Sequence, residues 1–92
     1  MWPSTRCALV ADSQELFSNA VKDLLERRLG FTEVIVVTSF EAATWHLSGN
    51  SSISLALLDL ALPDMDGLAS LASLRVAYPD LRLAVVAGPS RR

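Results

Sequence analysis

Short apolar runs alternate with amphipathic stretches along this chain. Cys7-Ala8-Leu9-Val10-Ala11 is an uninterrupted apolar run of strand length. Asp12 follows it and, with Glu15 three residues later, predicts a capping box at a helix start. Leu16, Phe17, Ala20, Val21, Leu24 and Leu25 share one side of that helix and are its expected inner face. Ser18, Asn19, Lys22, Asp23, Glu26 and Arg27 share the other. Gly30 marks the end, where the backbone must turn left-handed.

Val34-Ile35-Val36-Val37 is β-branched throughout and predicts a second strand. Thr38 or Ser39 then caps a short helix with Phe40, Ala43 and Leu47 inside, followed by a loop over residues 48–52. Leu55-Ala56-Leu57-Leu58 is a third apolar strand that runs into a carboxylate, Asp59. Pro63 and Gly67 bracket the next loop, Leu68, Leu71 and Leu74 predict a third helix, and Pro79 stops it. Leu83-Ala84-Val85-Val86 is the fourth strand, closed by Gly88-Pro89. The order is β-α-β-α-β-α-β. Strands without polar alternation are buried on both faces, which predicts an α/β fold with a parallel sheet between helices.

Composition narrows the class. At 92 residues the chain is one small domain, and 51% hydrophobic with 20% charged residues is too apolar for disorder. Eight Lys+Arg against ten Asp+Glu give a net charge of -2, with no basic excess for nucleic acid. No apolar run approaches the ~20 residues that cross a bilayer, and the first seven residues do not form a secretory signal. A single cysteine, Cys7, excludes an internal disulfide and a cysteine zinc cluster. A cytoplasmic domain is the expectation. Trp2 has no assigned packing, the pairs Arg27-Arg28 and Arg91-Arg92 read as solvated ends, and His46 reads as a surface or boundary residue.

Chemistry is expected at the carboxyl ends of the strands, where open parallel sheets bind ligands. Asp12 follows the first strand and Asp59 the third, so neighbouring strands would bring both carboxylates to one crevice. Paired carboxylates with a backbone carbonyl suit Mg²⁺, a hard cation. A carboxylate in such a pocket can also attack phosphorus. Asp12 is equally explained as a helix cap, whereas Asp59, after four apolar residues, carries a desolvation cost that a functional role would explain.

The segment Leu57-Leu58-Asp59-Leu60-Ala61-Leu62-Pro63-Asp64-Met65-Asp66-Gly67-Leu68 resembles the phosphoacceptor segment of bacterial two-component response regulator receiver domains. Val10-Ala11-Asp12-Ser13-Gln14-Glu15-Leu16-Phe17 resembles the family's acidic segment after strand one. Tyr78-Pro79-Asp80-Leu81 resembles its approach to strand four, in the style of regulators with a helix-turn-helix output domain. The resemblance implies a flavodoxin-like doubly wound parallel sheet of order 2-1-3-4, lacking the family's fifth strand and last two helices over residues 1–92. It implies a phosphorelay module, not an enzyme, in which a histidine kinase or other phosphodonor phosphorylates Asp59. Asp12, Asp59 and the backbone carbonyl of Ala61 would form the Mg²⁺ pocket.

Three departures qualify that implication. Ser13 stands where the family has a second acid, so Mg²⁺ binding is expected to be weak or lost. Ala87 stands where the family has a Ser or Thr, and Ser90 lies too far on to substitute. The only lysine is Lys22, on the first helix, and the family's phosphate-neutralising lysine has no counterpart. Impaired switching is therefore expected, with a homodimer or domain swap through an exposed strand-four edge. The alternative is a degenerate receiver that binds partners without phosphorylation. An aspartate-nucleophile phosphatase ranks last, because Asp59-Leu60-Ala61 lacks the second acid of an Asp-x-Asp motif.

Overall fold

The computed structural model describes residues 6–87, and the expectations for Trp2, Gly88-Pro89, Ser90 and Arg91-Arg92 lie outside them. Seven elements follow in the expected order: β1 (Cys7–Ala11), α1 (Glu15–Arg28), β2 (Glu33–Val37), α2 (Phe40–Gly49), β3 (Ile53–Asp59), α3 (Gly67–Ala77) and β4 (Arg82–Val86). The strands form one parallel sheet in the order β2-β1-β3-β4. This is the flavodoxin-like strand order 2-1-3-4 anticipated from the sequence.

All five residues of β1 are buried, as an uninterrupted apolar run between two other strands requires. Alternate residues serve different cores. Cys7, Leu9 and Ala11 join Ala43 and Leu47 of α2, Leu74 of α3, and Ala56 and Leu58 of β3. Ala8 and Val10 face the other way, against Leu25 of α1, Phe31 and Val34, with Val21, Leu55 and Leu57 packed beside them. Two helices thus cover one face and α1 covers the other.

Helix α1 begins and faces differently from the expectation. Its N-cap is Gln14, whose side chain makes no capping bond, so Asp12 and Glu15 form no capping box. Asp12 instead accepts the Gln14 N–H at 2.8 Å, a turn that precedes the helix. The buried residues of α1 are Ser18 and Leu25, with Val21 beside the core. Leu16 and Leu24 are 86% and 52% exposed. The apolar stripe is wider than the sheet beneath it, and only its trailing edge touches β1 and β2. In α3, Leu74 is buried, Leu71 is half-buried, and Leu68 points outward; the buried position one turn before Leu74 is Ser70. The hydroxyl of Ser70 accepts the Asp66 N–H at the helix start, which explains a polar residue on the inner face.

The remaining boundaries follow local chemistry. Ser39 caps α2, its hydroxyl accepting the Ala42 N–H at 3.0 Å. Gly30 has φ +77°, and the Phe31 N–H closes the end of α1 on the Leu25 carbonyl.

Candidate functional site

Strands β1 and β3 are adjacent, with Ala11 opposite Leu58, so Asp12 and Asp59 leave neighbouring strand ends together. Both carboxyl residues are buried, at 3% and 2% exposure. β4 brings Val86 opposite Asp59, and the Leu60 N–H donates to the Val86 carbonyl. Ala87 is the next residue after β4, is exposed, and carries no hydroxyl. Strands β1 and β3 are neighbours, as the convergence of Asp12 and Asp59 expected from the sequence requires.

Each carboxylate is oriented by the backbone that follows it. The Gln14 N–H donates to Asp12 Oδ1, and the Ala61 N–H donates to Asp59 Oδ1 at 2.9 Å. The Leu62 N–H donates to the Asp59 carbonyl, folding the β3–α3 loop tightly over the end of its strand. Asp59 thus stands on a rigid strand inside a structured turn, the kind of fixed placement that reactive groups need.

The donor set is hard and oxygen-rich. Two buried carboxylates and the nearby Ala61 peptide suit Mg²⁺, which is commonly held by one or two carboxylates with water or phosphate completing its shell. Among the described residues no cluster of three His, Cys, Asp or Glu side chains is placed to hold a metal. Ser13 is exposed and supplies no third acid. Lys22 is committed elsewhere, its ammonium 3.1 Å from Glu26 on α1. The donor set fits Mg²⁺ in kind.

One polar residue of the loop carries a role that sequence reasoning did not assign. Asp64 accepts the Phe40 N–H at 2.8 Å and the Glu41 N–H at 2.9 Å, at the start of α2. Those two bonds hold its carboxyl below the usual carboxylate range. Cys7 is the opposite case: burial, reinforced by the Glu33 carboxylate, raises its thiol, in keeping with a small core residue. His46 meets the exposed Trp45 edge-on at 5.0 Å, away from the strand ends.

The model of the response regulator receiver domain family matches residues 8–91. The chain is 30% identical over 78 residues to a glycerol metabolism activator from Pseudomonas putida; the match takes in 85% of this chain and 35% of that protein, so the chain spans about a third of that relative's length. In structure it is similar to the MaeR response regulator bound to beryllium trifluoride, with a TM-score of 0.82 at 21% identity over 95% of this chain and 70% of the other. An aspartate-to-alanine mutant of MaeR bound to sulfate aligns with a TM-score of 0.82 at 19% identity, over 96% and 71% of the two chains.

Proposed function

The chain belongs to the response regulator receiver domain family, a family of signal-transduction modules, and on that premise we propose that Asp59 is its phosphoacceptor. The observation that carries the reading is the pair of buried carboxylates at adjoining strand ends, one of them held by its own following turn. An Asp59 carboxylate oxygen attacks phosphorus of a histidine kinase or small phosphodonor. The new bond is an acyl phosphate, and the old phosphorus bond breaks with its electron pair leaving on the donor. Asp12, Asp59 and the Ala61 carbonyl would hold Mg²⁺, which when bound offsets the negative charge of the incoming group. Beryllium trifluoride has the shape and charge of a phosphoryl group, and its presence on the MaeR regulator supports the assignment by likeness of fold.

We read the switching as impaired. Ser13 provides no carboxylate, Ala87 no hydroxyl, and Lys22 is paired on α1. Each missing donor removes stabilisation of transferring charge, at a cost of about 10²-fold where such donors act. We read the regulated output as transcription and the domain as cytoplasmic, in keeping with the P. putida relative's being a glycerol metabolism activator. No described helix is long and apolar enough to cross a membrane.

Intact-mass spectrometry after incubation with acetyl phosphate and Mg²⁺ tests the assignment. One phosphoryl increment is expected in the parent and none in Asp59→Asn. A folded parent without the increment refutes the phosphoacceptor role and favours the second reading, a receiver that works by partner binding alone. The exposed edge of β4 and the outward Leu16 and Leu24 of α1 are what support that alternative.

A further inference from the structure

The loop over residues 60–66 joins β3 to α3 and carries the Ala61 peptide beside Asp59. Its first residue is tied to β4 through the Leu60 N–H, while the bonds given by Ala61, Leu62 and Met65 stay within Asp59–Leu62. The far half of the loop is tied outward by Asp64. Its two carboxylate oxygens each take one N–H, from Phe40 and from Glu41, the first two residues of α2. Ser39, the cap that belongs to α2 itself, satisfies only the Ala42 N–H. Two donors left orphaned at a helix start are therefore met by a loop more than twenty residues away in sequence. The bonds are charge-assisted and lie at the positive end of the helix dipole. A carboxylate gripping two N–H groups fixes an angle as well as a distance.

We propose that Asp64 is a positioning residue for the phosphoacceptor site: it clamps the 60–66 loop to the start of α2 and so holds the Ala61 peptide in register with Asp59. The kinetic part of this proposal rests on the phosphoacceptor reading above; the clamp does not. The Asp64 carboxyl, held below the usual range by the same two bonds, stays ionised through neutral pH, so the clamp is closed under ordinary conditions.

The test uses the full chain with three substitutions: Asp64→Ala, Asp64→Asn, and Ser39→Ala. The last removes a cap from the same helix end without touching the loop. Amide hydrogen exchange is read by NMR at Ala61 and Leu62, and phosphoryl uptake from acetyl phosphate by intact mass. In Asp64→Ala the exchange at both amides rises by about tenfold or more and uptake slows by a similar factor. Asp64→Asn, which keeps the shape but loses the charge and one acceptor, falls between, and serves if Asp64→Ala folds poorly. Ser39→Ala leaves both quantities within about twofold of the parent. Unchanged exchange in the Asp64 variants, or an equal rise in Ser39→Ala, overturns the proposal and reduces Asp64 to a helix cap. If the parent takes up no phosphoryl group, the phosphoacceptor reading falls, and the exchange measurement still upholds or overturns the clamp.

Discussion

Asp59 and Asp64 lie five positions apart on one loop, yet their surroundings differ completely. Asp59 is buried at a strand end, whereas Asp64 is exposed and accepts the backbone N–H groups of Phe40 and Glu41. Those bonds favour the ionised form and lower the Asp64 pKa, so the sign of the pH dependence is fixed. Stability contributed by a carboxyl with a depressed folded pKa is fully present above its unfolded value, about 3.9 for Asp, and is lost as pH falls through the folded value. Glu41 is the neighbouring acidic side chain on the first turn of α2, so the comparison must be made against a variant. Urea midpoints of the parent and Asp64→Asn are expected to differ at neutral pH, with the parent higher, and to converge as pH falls through the lowered folded value of Asp64. A gap that stays constant across the whole acid range would show that the charge of Asp64 contributes nothing. The placement of Asp12 and Asp59 at adjoining strand ends was legible in the sequence because each follows an apolar run, where a carboxylate is conspicuous. Asp64 was not, because it sits in a polar loop and its partners lie on an element 23 and 24 positions earlier. Nothing in local periodicity connects a loop to the start of a different helix.

Among the elements, α1 shows how a correct helix can carry a misassigned face. Its apolar positions run from Leu16 to Leu25 as a broad stripe, and periodicity weighs them equally. Packing does not: Leu25 is 5% exposed and sits with Ala8, Val10 and Val34, while Leu24 beside it faces solvent. Leu25→Ala is expected to cost about 2–4 kcal/mol through lost transfer energy and a residual cavity. Leu24→Ala should stay within about 0.5 kcal/mol of the parent. Urea denaturation of the two variants checks the register, and equal losses would return the inner face to the whole stripe. The element order was otherwise plain from the sequence because its signals were local: β-branched Val34–Val37, the Ser39 cap, Gly30 and Pro79 each act within a few residues. What stayed hidden was decided between elements, since a helix above a narrow sheet buries only the edge of its stripe that the strands can reach. Ser18, expected on the outer face of α1, is buried for the same reason.

At the scale of the whole molecule the sheet is covered unequally. α2 and α3 close one face, and the core there draws on β1, β2, β3 and both helices. On the other face α1 lies over β1 and β2, leaving Leu55 and Leu57 of β3 only partly buried. β4 pairs with β3 alone among the described strands, and Val85 on it is exposed. A parallel edge strand presents a row of unpaired backbone groups, and short length is its main protection here, since β4 has five residues. We propose that this edge, beside partly covered leucines, pairs with another copy of the chain. Association through β4 should therefore grow with protein concentration, because it is bimolecular. A lysine at Val85 places a charge on that edge without entering the core, and Val85→Lys is expected to shift the chain toward monomer at a concentration where the parent is dimeric. Sedimentation velocity across a concentration series separates the cases. A parent that stays monomeric at the highest concentration removes the edge from consideration. A parent whose dimer survives Val85→Lys moves the contact to the exposed leucines of α1, where Leu16→Lys becomes the decisive variant.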